Sequence, residues 1–450
     1  MKKYLLLILL NLLLVYCSYA QQPNWGYGPA ISVTSNGSSI SYSAYDYEQN
    51  QTHSGSASGV ITYINNDGVL AWQDNGYINY VIYDVKLHNF VSSSYSQSNV
   101  TSFKNNNQVV ASMNNSYIEY ATYDAYQHQW QHSYYSSSNP VSLIVADGVV
   151  ASMNASYVEY ATYDAMHHQW MHSYYSQSNG NTLTNDNGVV ASKNNSYIEY
   201  AVYDPQRHQW MHSYYSSSNA GTLLNNYSVV ASYNGSYIEY AVYDPDKGSW
   251  EHSYSSGSSI TNFYLDNGTV RWTQGSTSYS RGYDGSWGSG TTRLKCWFYP
   301  SATSGAAPLF SYFACMSIGA DGYSYNTDDN HTISRKNGWK YYKNGGNYNP
   351  ALTVSNSAAN STCSQNIIIS ATENKKGLPI YIQNPVKEKL VIHNYADFTG
   401  DEIVIFDLVG KQLYRGLLSN SSSAEIPVEN FASGLYILKI GNSTVKWIKE

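Results

Sequence analysis

The sequence predicts an all-β chain, with a seven-bladed β-propeller followed by two small β-sandwich domains. A Tyr-Asp dipeptide recurs along the chain, and its aspartates are Asp46, Asp84, Asp124, Asp164, Asp204, Asp244 and Asp284. The first interval between these aspartates is 38 residues and the other five are 40. Repeats of this length, with several short strands in each, are typical of propeller blades. Because no segment sustains a period of 3.6 residues, helices are not expected.

The first twenty residues, 1–20, have the pattern of a signal peptide. Lys2 and Lys3 provide a positive start, an apolar run follows over 5–15, and the small residues Ser18 and Ala20 suit a cleavage site. The apolar run is too short to span a bilayer comfortably, and no other stretch approaches that length. We therefore expect an exported protein without a transmembrane segment.

The composition argues against some classes of partner. The chain carries a net charge of −7, which disfavours nucleic acids and anionic membranes. Charged residues make up only 12% of the chain, whereas aromatic residues make up 15% and tyrosine alone occurs 48 times. We therefore expect a surface whose polarity comes mainly from hydroxyl and amide groups.

One copy of the repeat, over 149–188, illustrates the unit. Four strands are predicted in it, over 149–152, 157–164, 169–176 and 182–184. The Asn-Gly pair at its end predicts a tight turn into the next unit. Both faces of the second strand carry apolar or aromatic side chains, as expected of a sheet packed between two others. The seventh copy is short after Asp284, so we expect residues 24–28 to help complete the last blade of a propeller over 21–292.

The segment 237–250 resembles the kelch family, whose repeat has a strand ending in Tyr-Asp-Pro, a turn and then a tryptophan. The pattern recurs with Pro205 and Trp210, and more loosely at Trp130 and Trp170. The family's double glycine is missing, and the unit is shorter than usual. The resemblance covers residues 29–290 and implies a propeller.

Residues 293–371 are predicted to form a second, smaller β-domain. The segment 298–309 is similar to the opening of a PKD domain, which is an immunoglobulin-like sandwich, and residues 342–356 are similar to its closing strands. The family's central motif is replaced here by Tyr-Asn-Thr-Asp-Asp-Asn at 325–330. The resemblance implies a β-sandwich between the repeats and the end of the chain.

A linker is predicted over 372–377 and a third β-domain over 378–450. Three stretches of the third domain, 384–392, 403–411 and 426–440, are similar in order and position to the type A C-terminal sorting domain of type IX secretion in Bacteroidetes. The motif residues that we single out are Asn384, Pro385, Asp407, Gly410, Lys411, Gly434 and Tyr436. The resemblance implies a partner, the type IX secretion machinery, and a secreted protein that ends in the medium or on the outer-membrane surface.

No metal site is predicted. Cys296, Cys315 and Cys363 remain after export and lack the spacing of metal ligands. Their odd number allows one disulfide and one free thiol in an oxidising compartment, with the pairing left open. His168 and His172 share one face of a strand, but they lie about 13 Å apart and cannot chelate one ion together.

The repeated glutamates are expected to be structural. Glu159 lies between tyrosines, and it is placed opposite Ser173 or near His172, depending on one residue of register. No Ser-His-Asp set or carboxylate pair stands apart from the repeat. We therefore expect no enzyme and no cofactor.

Tyrosine pairs in the third strand of successive units are the candidate ligand-binding residues: Tyr134, Tyr135, Tyr174, Tyr175, Tyr214 and Tyr215. One tyrosine of each pair should point outward because side chains alternate along a strand. Tyrosine set among serine and asparagine is the chemistry of adaptable binding surfaces. The alternative is that both rings fill space between blades.

These features favour a monomeric, non-catalytic secreted or cell-surface protein that binds or adheres to an extracellular glycan or protein. Two other functions stay open: a secreted propeller hydrolase acting on glycans, and a structural component of a surface matrix. A cluster of acidic residues and arginines in one blade would favour the hydrolase, and the sequence shows none.

Overall fold

The computed structural model describes residues 29–217, 221–329, 331–370, 381–382, 386–393, 402–408, 410–417, 423–440 and 443–450. All the regular secondary structure in these ranges is β-strand, which confirms the all-β prediction. The signal peptide over 1–20, the completing residues 24–28 and the linker over 372–377 lie outside the described residues. The chain forms two compact units, the first ending at Ser370 and the second beginning at Ala371.

The repeats form seven successive sheets, here called blades 1 to 7. Blade 1 contains β1 (Ser32–Asn36), β2 (Ser39–Asp46) and β3 (Gln51–Ser58). Blade 2 contains β4 (Thr62–Asn66), β5 (Val69–Gln73), β6 (Tyr77–Asp84) and β7 (Asn89–Ser96). Blade 3 contains β8 (Ser102–Asn106), β9 (Val109–Met113), β10 (Tyr117–Asp124) and β11 (Gln129–Ser136). Blade 4 contains β12 (Ser142–Ala146), β13 (Val149–Met153), β14 (Tyr157–Asp164) and β15 (Gln169–Ser176).

The last three blades follow the same order. Blade 5 contains β16 (Thr182–Asp186), β17 (Val189–Lys193), β18 (Tyr197–Asp204) and β19 (Gln209–Ser216). Blade 6 contains β20 (Thr222–Asn226), β21 (Val229–Tyr233), β22 (Tyr237–Asp244) and β23 (Ser249–Ser256). Blade 7 contains β24 (Ile260–Asp266), β25 (Thr269–Gln274), β26 (Thr277–Tyr283) and β27 (Trp287–Ser289).

Two predictions about the blades were wrong. The strand at 182–184 was assigned to the same unit as 149–152, but β16 pairs with β17 and opens the next blade. The tight turn between them, Asn187 (φ 51°) and Gly188 (φ 71°), is a hairpin turn inside a blade and not a boundary between blades. The last blade was expected to be the incomplete one, whereas it has four strands and blade 1 has three among the described residues.

The end blades differ from the inner ones in burial. In blades 2 to 6 the third strand is buried on both faces apart from its first residues, since other blades flank it. In blade 1 the corresponding tyrosine, Tyr45, is 38% exposed, and in blade 7 Tyr264 and Tyr279 are exposed. Blades 1 and 7 thus carry exposed tyrosines, and closure of the seven blades into a ring stays a prediction.

The second β-domain, over 293–370, belongs to the same compact unit as the blades. Its strands are β28 (Phe298–Pro300), β29 (Ser304–Ala306), β30 (Leu309–Cys315), β31 (Gly322–Asn326), β32 (Thr332–Ile333), β33 (Gly338–Tyr342), β34 (Gly346–Tyr348), β35 (Ala351–Ser355), β36 (Asn360–Ser364) and β37 (Ile367–Ser370). They form three sheets in the orders β28-β30-β33, β29-β37-β34 and β32-β31-β35-β36. Cys296 and Cys363 form a disulfide with Cα atoms 5.6 Å apart, and Cys315 is a buried free thiol, which answers the question of pairing.

The second β-domain packs against the turns between the first and second strands of successive blades. Asn337 donates from Nδ2 to the Asp147 carbonyl (3.0 Å), and Tyr323 donates from its hydroxyl to Asn187 Oδ1 (2.7 Å). Arg335 donates from Nη1 to the Asp67 carbonyl (3.3 Å). These bonds reach blades 2, 4 and 5, so the domain covers one end of the array of blades.

The second unit contains the third β-domain. Its strands are β38 (Tyr381–Ile382), β39 (Lys389–His393), β40 (Glu402–Asp407), β41 (Gln412–Leu417), β42 (Ser423–Pro427), β43 (Gly434–Ile440) and β44 (Ser443–Lys449). They form two sheets in the orders β38-β39-β42 and β41-β40-β43-β44. Leu390 and Ile426 from one sheet and Ile405, Leu438 and Trp447 from the other are fully or almost fully buried in one core.

Candidate functional site

A hydrogen-bonded junction recurs between neighbouring blades. In blades 2 to 7 the tyrosine near the end of the third strand donates its hydroxyl to an aspartate of the preceding blade. That aspartate ends the corresponding strand, which is β2 in blade 1. This bond joins Tyr83 to Asp46, Tyr123 to Asp84, Tyr163 to Asp124, Tyr203 to Asp164, Tyr243 to Asp204 and Tyr283 to Asp244. The Tyr-Asp dipeptide of the sequence therefore marks the contact between blades.

The same aspartate also organises the turn that follows it. Asp124 Oδ1 accepts the backbone NH groups of Tyr126 (2.8 Å) and Gln127 (3.0 Å), which is an Asx turn. Asp124 Oδ2 accepts the Tyr163 hydroxyl (2.5 Å) and Nδ1 of His168 (2.6 Å) from blade 4. The carboxylate is fully buried and has four donors, as a buried charge requires.

In four of the junctions a histidine occupies a backbone position with positive φ. His88, His128, His168 and His208 have φ between 52° and 55°, and the corresponding residues in blades 1 and 6 are Asn50 (54°) and Gly248 (68°). Asparagine and glycine adopt this conformation at low cost, whereas histidine does so less readily. We infer that the hydrogen bond with the aspartate, with Nδ1 2.6 to 2.9 Å from Oδ2 at these four junctions, compensates for that cost.

The junction is not formed between the end blades. Tyr45 donates its hydroxyl to Asn50 within its own blade, and Asp284 accepts from exposed Arg293 at 3.4 Å. The Asp284 side chain is 65% exposed, whereas its six counterparts are buried. The described residues therefore contain six such junctions for seven blades.

The predicted tyrosine pairs each split into one exposed and one covered ring. Tyr174 is 65% exposed, whereas Tyr175 is 5% exposed and its hydroxyl lies 2.8 Å from Ser192 Oγ of blade 5. Tyr134 and Tyr214 are exposed like Tyr174. Tyr135 and Tyr215 are half-buried, and Tyr135 donates to Ser152 Oγ of the next blade (3.0 Å). The second ring of each pair is thus packing between blades, and only the first is available to a ligand.

Each exposed ring has an exposed aromatic neighbour from the start of the third strand. We define the tyrosine rim as these eight residues: Tyr117, Tyr134, Tyr157, Tyr174, Tyr197, Tyr214, Tyr237 and Tyr254. Within each blade the two rings meet edge to face, with centroids 6.2, 5.9, 6.0 and 6.2 Å apart in blades 3 to 6. The ring at the start of the third strand (Tyr117, Tyr157, Tyr197 and Tyr237) was missed in the sequence analysis, although its recurrence every 40 residues was visible there.

Glutamates lie beside the tyrosine rim. Glu159 is paired with Tyr174, so the predicted register opposite Ser173 was wrong. Glu119 Oε2 lies 3.2 Å from Nε2 of His132 in the same blade, and Glu199 contacts His212 at 3.4 Å. These polar groups flank the exposed rings and could accept or donate hydrogen bonds to a ligand.

A second candidate site is a cavity of about 350 Å³ at the end of the blades that carries the turns between their first and second strands. The second β-domain contributes Asp321, Tyr323, Arg335 and Lys336 to its wall. The blades contribute Asp67, Asn106, Asn107, Asp147, Asp186, Asn187 and Asn226. Burial, and then the nearby carboxylate of Asp147, raise the pKa of Asp186 to about 6, against the opposing effect of Lys336. Most of the residues that line the cavity are polar or charged.

We expect the substitution Asp186→Asn to stabilise the protein at pH 7 and to leave its stability almost unchanged near pH 4. The pKa of this carboxyl rises from about 3.9 in the unfolded chain to about 6 in the folded one. The folded state therefore binds more protons in that window, and stability falls as pH rises through it. Asparagine occupies the corresponding position in blades 3 and 6, at Asn106 and Asn226. Urea unfolding at both pH values measures the effect, and an equal shift at both would contradict it.

The sorting-motif residues occupy two places in the third β-domain, and Asn384 and Pro385 lie outside the described residues. Asp407, Gly410 and Lys411 form the turn between β40 and β41, in which Asp407 Oδ1 accepts the backbone NH of Lys411 (2.9 Å) and Gly410 has φ 83°. Gly434 begins β43, and Tyr436 on that strand is buried with its ring stacked on Trp447, centroids 5.0 Å apart. Within the described part of the motif, Gly410, Lys411 and Gly434 are exposed.

Residues 383–450 match the family model of the secretion system C-terminal sorting domain. The chain thus ends in a type IX sorting domain, as predicted. The protein is exported and secreted to the cell surface or the medium. No helix among the described residues is long and apolar enough to cross a membrane.

Three solved structures that match parts of the chain show distant similarity. A functionally unknown protein from Desulfotomaculum acetoxidans has 10% identity and a TM-score of 0.25, covering 59% of this chain and 99% of its own. Kluyveromyces lactis Hsv2 with a complete loop 6CD has 7% identity and a TM-score of 0.27, covering 69% and 95%. Apo AztD from Citrobacter koseri has 8% identity and a TM-score of 0.25, covering 79% and 96%. TM-scores this low support no conclusion, and no curated protein matches the sequence.

Proposed function

We propose that this secreted protein is a non-catalytic binding or adhesion protein that presents the tyrosine rim to an extracellular glycan or protein. In this proposal the blades form a seven-bladed, kelch-like propeller, the second β-domain is a PKD-like spacer, and the sorting domain delivers the molecule. The protein acts as a monomer and needs no cofactor. The observation that carries the proposal is the recurrence of four exposed tyrosine pairs at one place in blades 3 to 6.

Single exposed apolar residues are normal on protein surfaces, but a repeated set is more informative. A tyrosine ring offers a flat apolar face and a hydroxyl, which together suit contact with sugars and with proteins. The same blades place Glu119 and Glu199 beside the rings, each in contact with a histidine. Four similar weak sites held on one rigid array would gain avidity toward a repetitive ligand.

Binding of the mature protein to a glycan array and to host matrix proteins tests the proposal directly. Binding without turnover of the ligand supports it. Release of sugar from a bound glycan would instead identify a hydrolase. Ordered self-assembly without binding to either class of ligand would identify a component of a surface matrix.

We expect the rim to tolerate substitution while the covered ring does not. Tyr174→Ala should change the free energy of unfolding by no more than about 0.5 kcal/mol, because the ring is exposed. Tyr175→Ala should cost about 3–5 kcal/mol, because a buried aromatic ring leaves a cavity. Urea unfolding of the two single variants provides the comparison, and equal losses of stability would show that both rings are packing.

The same residues test avidity once a ligand is found. Tyr174→Ala alone should weaken binding modestly, whereas Tyr134→Ala, Tyr174→Ala and Tyr214→Ala combined should weaken it by roughly 100-fold or more, since linked sites are lost together. Surface plasmon resonance on an immobilised ligand measures both. An unchanged affinity in the folded triple variant would exclude the tyrosine rim as the binding surface.

A further inference from the structure

Three potential metal ligands meet at the junction between blades 4 and 5. Asp164 ends β14, His167 lies in the turn that follows it, and His208 comes from the corresponding turn of blade 5. Nδ1 of His167 lies 2.7 Å from Asp164 Oδ2, and Nδ1 of His208 lies 2.9 Å from the same oxygen. One ligand atom from each residue can be chosen so that all three lie within 4.8 Å of one another. The two imidazole rings stand nearly perpendicular, at 79°, with centroids 4.3 Å apart.

From this geometry we propose that Asp164, His167 and His208 bind a divalent transition metal ion of the zinc class. Imidazole nitrogen and carboxylate oxygen are preferred zinc ligands, at about 2.0–2.2 Å from the metal. Two ligand atoms on a tetrahedral ion are therefore about 3.4 Å apart. The two imidazole nitrogens need to move away from Asp164 Oδ2 by well under 1 Å to admit the ion.

The surroundings suit an ion with an open coordination position. The Asp164 carboxylate is buried, while the His167 side chain is about half exposed, so water can supply a fourth ligand. Tyr203 donates its hydroxyl to Asp164 Oδ2 at 2.8 Å and would support the carboxylate from behind. Each imidazole now has Nδ1 against a carboxylate oxygen. On binding metal, Nδ1 of each imidazole loses its proton and coordinates the ion through its lone pair. The proton of the neutral ring is then on Nε2.

The third ligand distinguishes this junction from the others. His208 belongs to the repeat, because His88, His128 and His168 form the same pair with the preceding aspartate. The position of His167 is instead occupied by Gln49, Leu87, Gln127, Arg207 and Lys247 in the other copies. Among the described residues, this is the one group with three ligands in reach of one ion. The sequence-based expectation of no metal site compared histidines along one strand, whereas the site proposed here lies between two blades.

The repeat supplies matched variants for the test. His167→Gln introduces the residue that blade 3 carries at this position, so the fold should tolerate it. The reverse substitution, Gln127→His, adds the missing third ligand beside Asp124 and His168. Both variants keep the original aspartate and repeat histidine, so the blade junctions stay intact.

The experiment is calorimetric titration of the untagged mature protein with Zn²⁺, together with the visible absorption of bound Co²⁺. We expect one ion per chain for the wild type and two for Gln127→His. His167→Gln should lower affinity by at least the roughly 10- to 100-fold that loss of a supporting partner costs. The proposal is overturned if wild type binds no ion, if His167→Gln binds as tightly as wild type, or if Gln127→His still binds only one.

Discussion

Asp124→Ala should destabilise the blades by about 3–5 kcal/mol, because removing a buried carboxylate leaves all of its hydrogen-bond donors without an acceptor. Four donors lose their acceptor at once: the Tyr163 hydroxyl, Nδ1 of His168 and two backbone NH groups of the following turn. Both the contact between blades 3 and 4 and the Asx turn depend on this carboxylate. Urea unfolding of the mature protein, followed by tryptophan fluorescence, measures the loss.

The chain contains its own control for this substitution. Asp284→Ala removes the same residue from the same Tyr-Asp dipeptide, but the Asp284 carboxylate is exposed and, among the described residues, bonds only to Arg293. Because exposed ion pairs contribute little, its loss should stay within about 0.5 kcal/mol. A further variant, Tyr163→Phe, removes one bond and should cost roughly 1 kcal/mol. If Asp124→Ala and Asp284→Ala were equally mild, the junction would not be what holds the blades together.

Removal of residues 371–450 should abolish delivery to the cell surface or medium and leave a folded protein in the periplasm. The matched sorting domain, over 383–450, lies entirely within the second compact unit, and the first unit ends at Ser370. The deletion thus passes between the units and leaves the cores of the blades and of the second β-domain intact. Cell fractionation with detection of the protein gives its location, and limited proteolysis reports whether the retained material is folded.

A reciprocal experiment distinguishes loss of the sorting signal from loss of the fold. Fusion of residues 371–450 to an unrelated soluble protein that carries a signal peptide should send that protein out of the cell. Surface delivery of the truncated chain would contradict the assignment of the signal to the second unit. Failure of the fusion to leave the periplasm would indicate that the first unit also contributes to recognition.

The strands of the repeat could be predicted closely because the pattern is local. The predicted strands over 157–164 and 169–176 have the bounds of β14 and β15. The tyrosine that faces outward in each pair also follows from the two-residue period of a strand. Periodicity alone cannot say which sheet a strand joins, and the strand at 182–184 was therefore given to the wrong blade. The Asn-Gly turn indicates the correct blade, because such a turn links two strands that pair with each other.

The features that sequence reasoning missed all depend on contacts between segments that are distant in the sequence. His167 and His208 are 41 residues apart, and nothing local indicates that they share one carboxylate oxygen. The pairing of Cys296 with Cys363 likewise depends on strands that meet only in the folded domain. The polar cavity beside Asp186 exists because the second β-domain covers the inner turns, an arrangement that no motif predicts. The useful signal was a departure from the repeat, the His-His pair at 167–168 in one copy only.

The blade junction also bears on how such an array can change over generations. The inner blades each offer an aspartate to the blade after and a tyrosine to the blade before, and both recur there at intervals of 40 residues. Recombination between two copies of the repeat that inserts or removes one whole unit therefore leaves every remaining interface with a matching donor and acceptor. An exchange that removes part of a unit breaks at least one interface. The junction chemistry thus allows the number of blades to change between generations. The second β-domain restricts which numbers persist, because it must reach turns in several blades at once.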